Sequence, residues 1–346
     1  MEKQLFLFVL LFIACSAIAQ DQLLTNIEAR ETRSLDGNWQ IIVDPYENGF
    51  YNYRYIPFES MSNPGKNAFF TNSRQADKSE LLEYDFDKSG QLQVPGDWNT
   101  QQEKLFYYEG TVWYKKSFHY EKQQASNRVF LYFGAVNYQA DVYFNGEKVG
   151  RHLGGFTPFN FEISHLLKQD ENFVVVKVDN KRKKEAVPTL NTDWWNYGGI
   201  TRSVHLIETP ETLIQDYFIQ LDPDNPETIK GYIQYVGKNA SNRNIVLKIP
   251  ELNIVKDLKS DENGKALLNI PVPNLTYWSP NNPKLYDVEI GDGTNNINDQ
   301  IGFRTIKTKG HDILLNGKSV FLRGISVHEE RPDTGGRVSS EKDAKK

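Results

Sequence analysis

Apolar residues along most of this chain come in short runs, not at helical spacing. Val, Ile, Tyr and Phe cluster over a few positions and are then broken by Gly, Asn, Asp and Pro. That pattern predicts antiparallel β sandwiches. Arg128 to Phe133 and Ala140 to Phe144 are two such runs. Asn145-Gly146 follows the second, and Lys148-Val149-Gly150 resumes beyond it. Asn-Gly between β runs is the strongest short hairpin signal a sequence carries. Asn172 to Val178 is almost continuously apolar, as expected of a central strand.

The pattern breaks near Thr209-Pro210. The region before it is too long for a seven-strand sandwich and suits a larger jelly roll with insertions. The polar stretch from Ser60 to Ser89 reads as one insertion. After the break, β runs begin near Leu213, Ile229, Asn244, Ile254, Ala266, Leu285 and Asn298. Their number and spacing predict an immunoglobulin-like sandwich.

The pattern changes again after Lys309. Ile313 to Leu315, the turn Asn316-Gly317 and Ser319 to Leu322 predict a hairpin. Val320 to Ile325 is apolar apart from Arg323, like a buried parallel strand. Ser339-Ser340-Glu341-Lys342-Asp343-Ala344 has the capping hydroxyl and early acids of a helix start. We therefore expect a third domain that begins here as a β–loop–α unit and continues beyond Lys346.

The N-terminus reads differently from the rest. Leu5 to Ala14 is an apolar run of signal-peptide length, and Ala17-Ile18-Ala19 supplies the small residues of a cleavage site before Gln20. The expected location is secreted or periplasmic. A lipoprotein anchored through Cys15 is the alternative, since Phe12-Ile13-Ala14-Cys15 loosely resembles a lipobox. The run is too short to span a bilayer, and no transmembrane segment is expected elsewhere. Cys15 is the only cysteine, so the mature chain would rest on its cores and not on disulfides.

Composition narrows the partners. The 346 residues carry a net charge of −5, against the basic footprint of nucleic-acid binders. The run Lys181-Arg182-Lys183-Lys184 reads as a solvated loop. The chain is rich in rings, with 20 Phe, 18 Tyr and 6 Trp, which suit sandwich cores and sugar stacking alike.

Several segments in order resemble glycoside hydrolase family 2, the β-galactosidases, β-glucuronidases and β-mannosidases. They are Ser34-Leu35-Asp36-Gly37-Asn38-Trp39, Val94-Pro95-Gly96-Asp97-Trp98-Asn99 and Tyr108-Glu109-Gly110-Thr111-Val112-Trp113-Tyr114. Val142-Tyr143-Phe144-Asn145-Gly146, Gly154-Gly155-Phe156-Thr157-Pro158-Phe159 and Asp193-Trp194-Trp195-Asn196-Tyr197-Gly198-Gly199-Ile200-Thr201-Arg202 continue the series. Trp278-Ser279-Pro280, Gly302-Phe303-Arg304 and Phe321-Leu322-Arg323-Gly324-Ile325-Ser326-Val327-His328-Glu329 complete it. After the signal peptide read over 1–19, the resemblance implies a jelly-roll sugar-binding domain over 20–208, an immunoglobulin-like sandwich over 209–308 and the start of a (β/α)8 barrel over 309–346.

It also implies site residues. The aspartate at the Asp193 position reaches the barrel's sugar pocket and contacts sugar hydroxyls, or a sodium ion in some galactosidases; on the residues alone, a turn or sheet-end role is equally open. His328 matches a sugar-contacting histidine after the first barrel strand, where (β/α)8 active sites lie. Glu109 falls where some members bring a first-domain loop toward the pocket. Trp194, Trp195 and Tyr197 read as packing, with one at the pocket rim, and Trp98 and Asn99 as residues holding a turn.

Glu329 and Glu330 are neighbours in sequence and so do not make a catalytic pair, which needs carboxyls about 5–5.5 Å apart across the anomeric centre. In the family both catalytic glutamates come from later barrel strands. One protonates the leaving oxygen, and the other attacks the anomeric carbon in a double displacement with retention. The expected activity of the complete relative is exo-hydrolysis of terminal β-linked sugars from an oligosaccharide or glycoside, with β-galactosidase first. His328-Glu329-Glu330 stands where glucuronidases usually show His-Glu-Asp. β-Glucuronidase and a non-catalytic carbohydrate-binding protein are the alternatives. No cofactor is required by this reading, although a galactosidase-like member would use Na+ or Mg2+, and the complete relative would be a homo-oligomer.

Overall fold

Strand Glu171–Asp179 sits in the middle of a six-stranded antiparallel sheet, between Thr111–His119 and Gln139–Phe144. In the computed structural model, which describes residues 22–80, 82 and 84–346, this is the centre of the first of two sandwiches. The expected signal segment, with Cys15 and the cleavage point before Gln20, lies outside the described residues. Alternation along the strand explains its nearly unbroken apolar sequence. Val174, Val176 and Val178 face the main core, while Val175 faces the opposite side into a second cluster.

The main core lies between this sheet and a four-stranded one formed by Thr32–Ser34, Val204–Thr209, Arg128–Phe133 and Phe159–Glu162. Trp39, Tyr114, Phe133 and Phe159 are fully buried in it. Asn145 and Gly146 both take positive φ, 51° and 89°, and turn Gln139–Phe144 into Glu147–Leu153 as the Asn-Gly signal predicts.

The insertion is less polar in its role than in its composition. Residues 44–89 carry Phe50, Phe58, Phe69, Phe70 and Phe86 onto the outer face of the six-stranded sheet. Phe69 meets Trp113 at 5.5 Å and Tyr84 at 4.7 Å, and Phe70 stacks on Tyr143 at 4.5 Å. Gly49 lets the Phe69 ring lie against the backbone, since a Cβ there would come within 2.2 Å of it. Lys177 emerges on this face and pairs with Glu47 of the insertion at 2.6 Å. Burial pushes the Glu47 carboxyl up, but hydrogen bonds and charge from Lys177 and Lys181 outweigh it and hold the group below its ordinary value.

The second sandwich packs a three-stranded sheet on a four-stranded one around Ile214, Tyr235, Leu247, Val288 and Phe303. Its strands begin at Leu213, Thr228, Asn244, Ile254, Lys265, Tyr286 and Asn296, close to the starts read from sequence. This is the immunoglobulin-like architecture. The segment before the first strand binds both sandwiches. Thr25 donates its amide to Gln215 O at 3.0 Å, and Arg30 donates to Ile214 O at 2.7 Å. Leu24 packs with Phe130, Ile207 and Leu213.

After the second sandwich, Ile306–Lys309, Asp312–Leu315 and Lys318–Val320 form a small sheet with Asn316-Gly317 at its second turn. The buried strand expected over Val320 to Ile325 does not form. Pairing stops at Val320, and Phe321, Leu322, Ile325 and Val327 are exposed by 69–89%. No strand among the described residues offers this run an edge, and an unpaired strand has nothing to hold it. The helix start does form: Ser340 caps Glu341–Ala344 by accepting from the Asp343 amide. No helix among the described residues is long and apolar enough to cross a membrane.

Phe69→Ala tests how firmly the insertion is stapled down. Loss of a buried ring costs about 3–5 kcal/mol, so the variant is expected to unfold at clearly lower denaturant than the parent. A change below about 1 kcal/mol in chemical denaturation would contradict the packing described.

Candidate functional site: a cavity between the jelly roll and the His328 segment

Asp97 is 1% exposed and sits at the start of the short helix Trp98–Gln101. One oxygen accepts from the Thr100 amide at 2.8 Å and the Thr100 hydroxyl at 2.9 Å. The other accepts from the Arg337 amide at 3.0 Å. That second bond fastens the chain after His328 to the jelly roll. Arg331 reinforces it by donating to Thr100 Oγ1 at 3.1 Å, and the Gly336 amide donates to the Tyr197 hydroxyl at 3.3 Å. Gly336 has φ +84°, and a Cβ on it would lie 2.8 Å from Asp97 Oδ2 and 2.7 Å from Thr100 Oγ1. Only glycine meets both the backbone angle and the close approach.

Docking in this way forms a half-open cavity of about 230 Å³. Trp194, Trp195 and Tyr197 form its jelly-roll wall, and Val327, His328 and Arg337 face them. The rings of Trp194 and His328 meet edge to face at 5.6 Å. Arg337 is buried, with its guanidinium 4.0 Å above the centre of the Phe156 ring and 3.5 Å from Glu329. Burial lowers its pKa, and the Glu329 charge acts in the opposite sense. Arg202 also donates to Glu329, at 2.5 Å. Glu329 is therefore held by two arginines. The Tyr197 phenol is pushed up by burial, with Glu330 adding in the same direction. Asn137 shows a buried Oδ1 without a partner beside this wall.

Comparison with known proteins identifies the family of the two sandwiches. The sugar-binding domain of glycosyl hydrolases family 2 matches residues 32–210, and the domain described simply as glycosyl hydrolases family 2 matches residues 212–304. The chain belongs to glycosyl hydrolase family 2. A β-galactosidase of Thermoanaerobacter pseudethanolicus is 29% identical over 284 residues, covering 76% of this chain and 38% of that protein. A β-glucuronidase of Bacteroides fragilis is 29% identical over 306 residues, covering 77% and 44%. Among solved structures, a β-glucuronidase from Ruminococcus gnavus in complex with D-glucuronic acid superposes with a TM-score of 0.69 at 26% identity. That match covers 90% of this chain and 52% of the other. The chain spans about a third of the length of the first curated relatives it matches.

The site residues expected from sequence fall in different places on this family 2 chain. His328 lines the cavity. Asp193 precedes the lining residue Trp194, but its own side chain is exposed and does not line the cavity. Glu109 lies apart from the cavity and pairs with Arg182 at 2.8 Å. No group of three His, Cys, Asp or Glu side chains that could hold a metal ion occurs among the described residues. Asp193 therefore belongs to no such group.

Asp97, Gly336 and Arg337 were not singled out from sequence, although they build the cavity. Asn99 was expected to hold a turn and does more. It accepts from the Gly198 amide at 2.9 Å and donates to Leu105 O and Phe106 O at 3.1 Å.

Gly336→Ala is expected to push residues 329–338 off Asp97 while the sandwiches stay intact. Hydrogen exchange should accelerate across that segment, with protection unchanged in Glu171–Asp179. Unchanged exchange in the segment would show that the close approach is not needed.

Proposed function

We propose that this chain forms one wall of the sugar pocket of a retaining β-glycosidase that removes terminal β-linked sugars, with β-galactosides the favoured substrate. The observation that carries the reading is the cavity itself. It joins the Trp194 to Tyr197 loop of a sugar-binding domain to His328, and a concave, largely aromatic site with a few convergent polar groups suits a sugar ring. The chain's own part is to bind and orient. Trp194 and Trp195 offer ring faces, and His328 offers a polar contact.

Charge supports a neutral sugar. Glu329 and Glu330 line the cavity beside a single arginine, and Arg337 is already committed to Glu329 and Phe156. A uronate carboxylate would meet no spare cation among the lining side chains. The second reading, a β-glucuronidase, draws on the relatives and solved structures that carry that name. A sheet-face carbohydrate-binding protein is disfavoured, because the outer face of the six-stranded sheet is covered by the chain's own phenylalanines.

Hydrolysis needs opposed carboxyls about 5–5.5 Å apart. Glu329 and Glu330 are sequence neighbours, and two arginines hold the first. The 346-residue chain is therefore expected to bind without turning over. In NMR titration, methyl β-galactoside should shift the Trp194 indole and His328 ring signals more strongly than methyl β-glucuronide does. Aryl β-glycosides should give no product above background. Stronger shifts with the glucuronide would favour the second reading, and robust turnover would sink the binding-wall account.

A further inference from the structure

The cavity's aromatic wall does not stop at its rim. Trp195 is followed outward by two exposed rings that belong to no core. Phe106 lies 5.0 Å from Trp195 with the planes at 48°, and Tyr107 lies 5.5 Å away at 45°. Phe106 and Tyr107 meet each other edge to face at 4.8 Å. Tyr107 is 81% exposed and Phe106 42%. Together they make an open three-ring corner leading away from the cavity.

This corner is held in place. Leu105 just before it is buried, and Tyr108 just after it donates its hydroxyl to Thr111 O at 2.9 Å. The Asn99 amide group donates to the carbonyls of Leu105, Phe106 and Tyr108 at 3.1–3.2 Å. The oxygen of the same side chain accepts from Gly198, within the loop that bears Trp195. One asparagine thus sets both the exposed rings and the cavity wall. A contiguous exposed aromatic patch on a fixed backbone marks a contact surface, and rigid Tyr and Trp faces supply contact area at low entropic cost.

We propose that Phe106, Tyr107 and Trp195 form a platform for the sugar ring on the leaving side of a β-linked substrate. The proposal rests on the reading of the cavity as the pocket for the terminal sugar. The three-ring corner adjoins the cavity through Trp195, so a sugar joined to one held in the cavity comes to lie on it. Glu109, two residues from Tyr107, is paired with Arg182. A pyranose turns its C–H face to the rings and leaves its hydroxyls in water, as an amphipathic ligand on an open aromatic surface does.

The test uses the 346-residue chain with two probes, methyl β-galactoside and lactose, and affinities from NMR or calorimetric titration. Lactose is expected to bind more tightly, by roughly five- to tenfold. Tyr107→Ala and Phe106→Ala should each reduce that gap while leaving the methyl galactoside affinity unchanged. Tyr107→Phe should keep it, because the ring face and not the hydroxyl does the binding. Equal affinities in the parent, or a gap that survives both alanine substitutions, would assign the rings to a protein contact and overturn the platform. Lactose binding that depends on Tyr107 without any methyl galactoside binding would keep the platform and sink the pocket reading alone. Absence of binding by either sugar overturns both.

Discussion

The bond from the Arg337 amide to the Asp97 carboxylate governs what this chain can present. It is buried, it closes a loop of 240 residues, and it ties the C-terminal segment to the first sandwich. A charged acceptor that is almost fully enclosed is costly unless its lone pairs are met, and Thr100 and Arg337 meet those of Asp97. With that acceptor satisfied, Gly336 can approach without a side chain, His328 comes to rest against Trp194, and Arg337 lies over Phe156. The cavity is a consequence of this docking. Neither sandwich forms it alone.

The two sandwiches serve that contact by being rigid. The first is buried on both faces of its larger sheet, because the insertion folds back over Trp113 and Tyr143. That cover has a functional meaning as well as an energetic one. It removes the broad sheet face from the solvent and leaves the loop end of the jelly roll, with Trp194, Trp195 and Tyr197, as the aromatic surface open to a ligand. Membership of glycosyl hydrolase family 2 is consistent with a binding role at that end.

Much of the fold was legible because it is local. Short β runs, turn residues and the Asn-Gly pair at 145–146 specify strands and a hairpin by their own backbone preferences. Runs whose meaning depends on a neighbour were read less well. Val320 to Ile325 has the composition of a buried strand, yet among the described residues it finds no pairing edge and lies exposed. The insertion looked polar because Ser, Asn, Asp and Lys are spread through it, while a few phenylalanines decide where it goes. The site divides in the same way. His328 was found through its motif, and it lines the cavity. Asp193 and Glu109 came from the same resemblance, and their side chains stand outside it. Asp97 and Gly336 are separated by most of the chain, and nothing near either residue announces the other. Asp97 did lie within the Val94 to Asn99 motif, so a buried acid at a helix start was the one available clue.

Asp97→Asn tests the central claim most directly. Asparagine keeps an oxygen to cap the Thr100 amide but turns an N–H toward the Arg337 amide, where an acceptor is required. Amide exchange and the Trp194 to His328 ring contact, read by NMR on the same sample, report both ends of the docking. The account predicts a folded jelly roll with native exchange in Thr111–His119, fast exchange at Arg337, and loss of the ring contact together with sugar-induced shifts. A variant that keeps slow exchange at Arg337 and the Trp194 to His328 contact would contradict it.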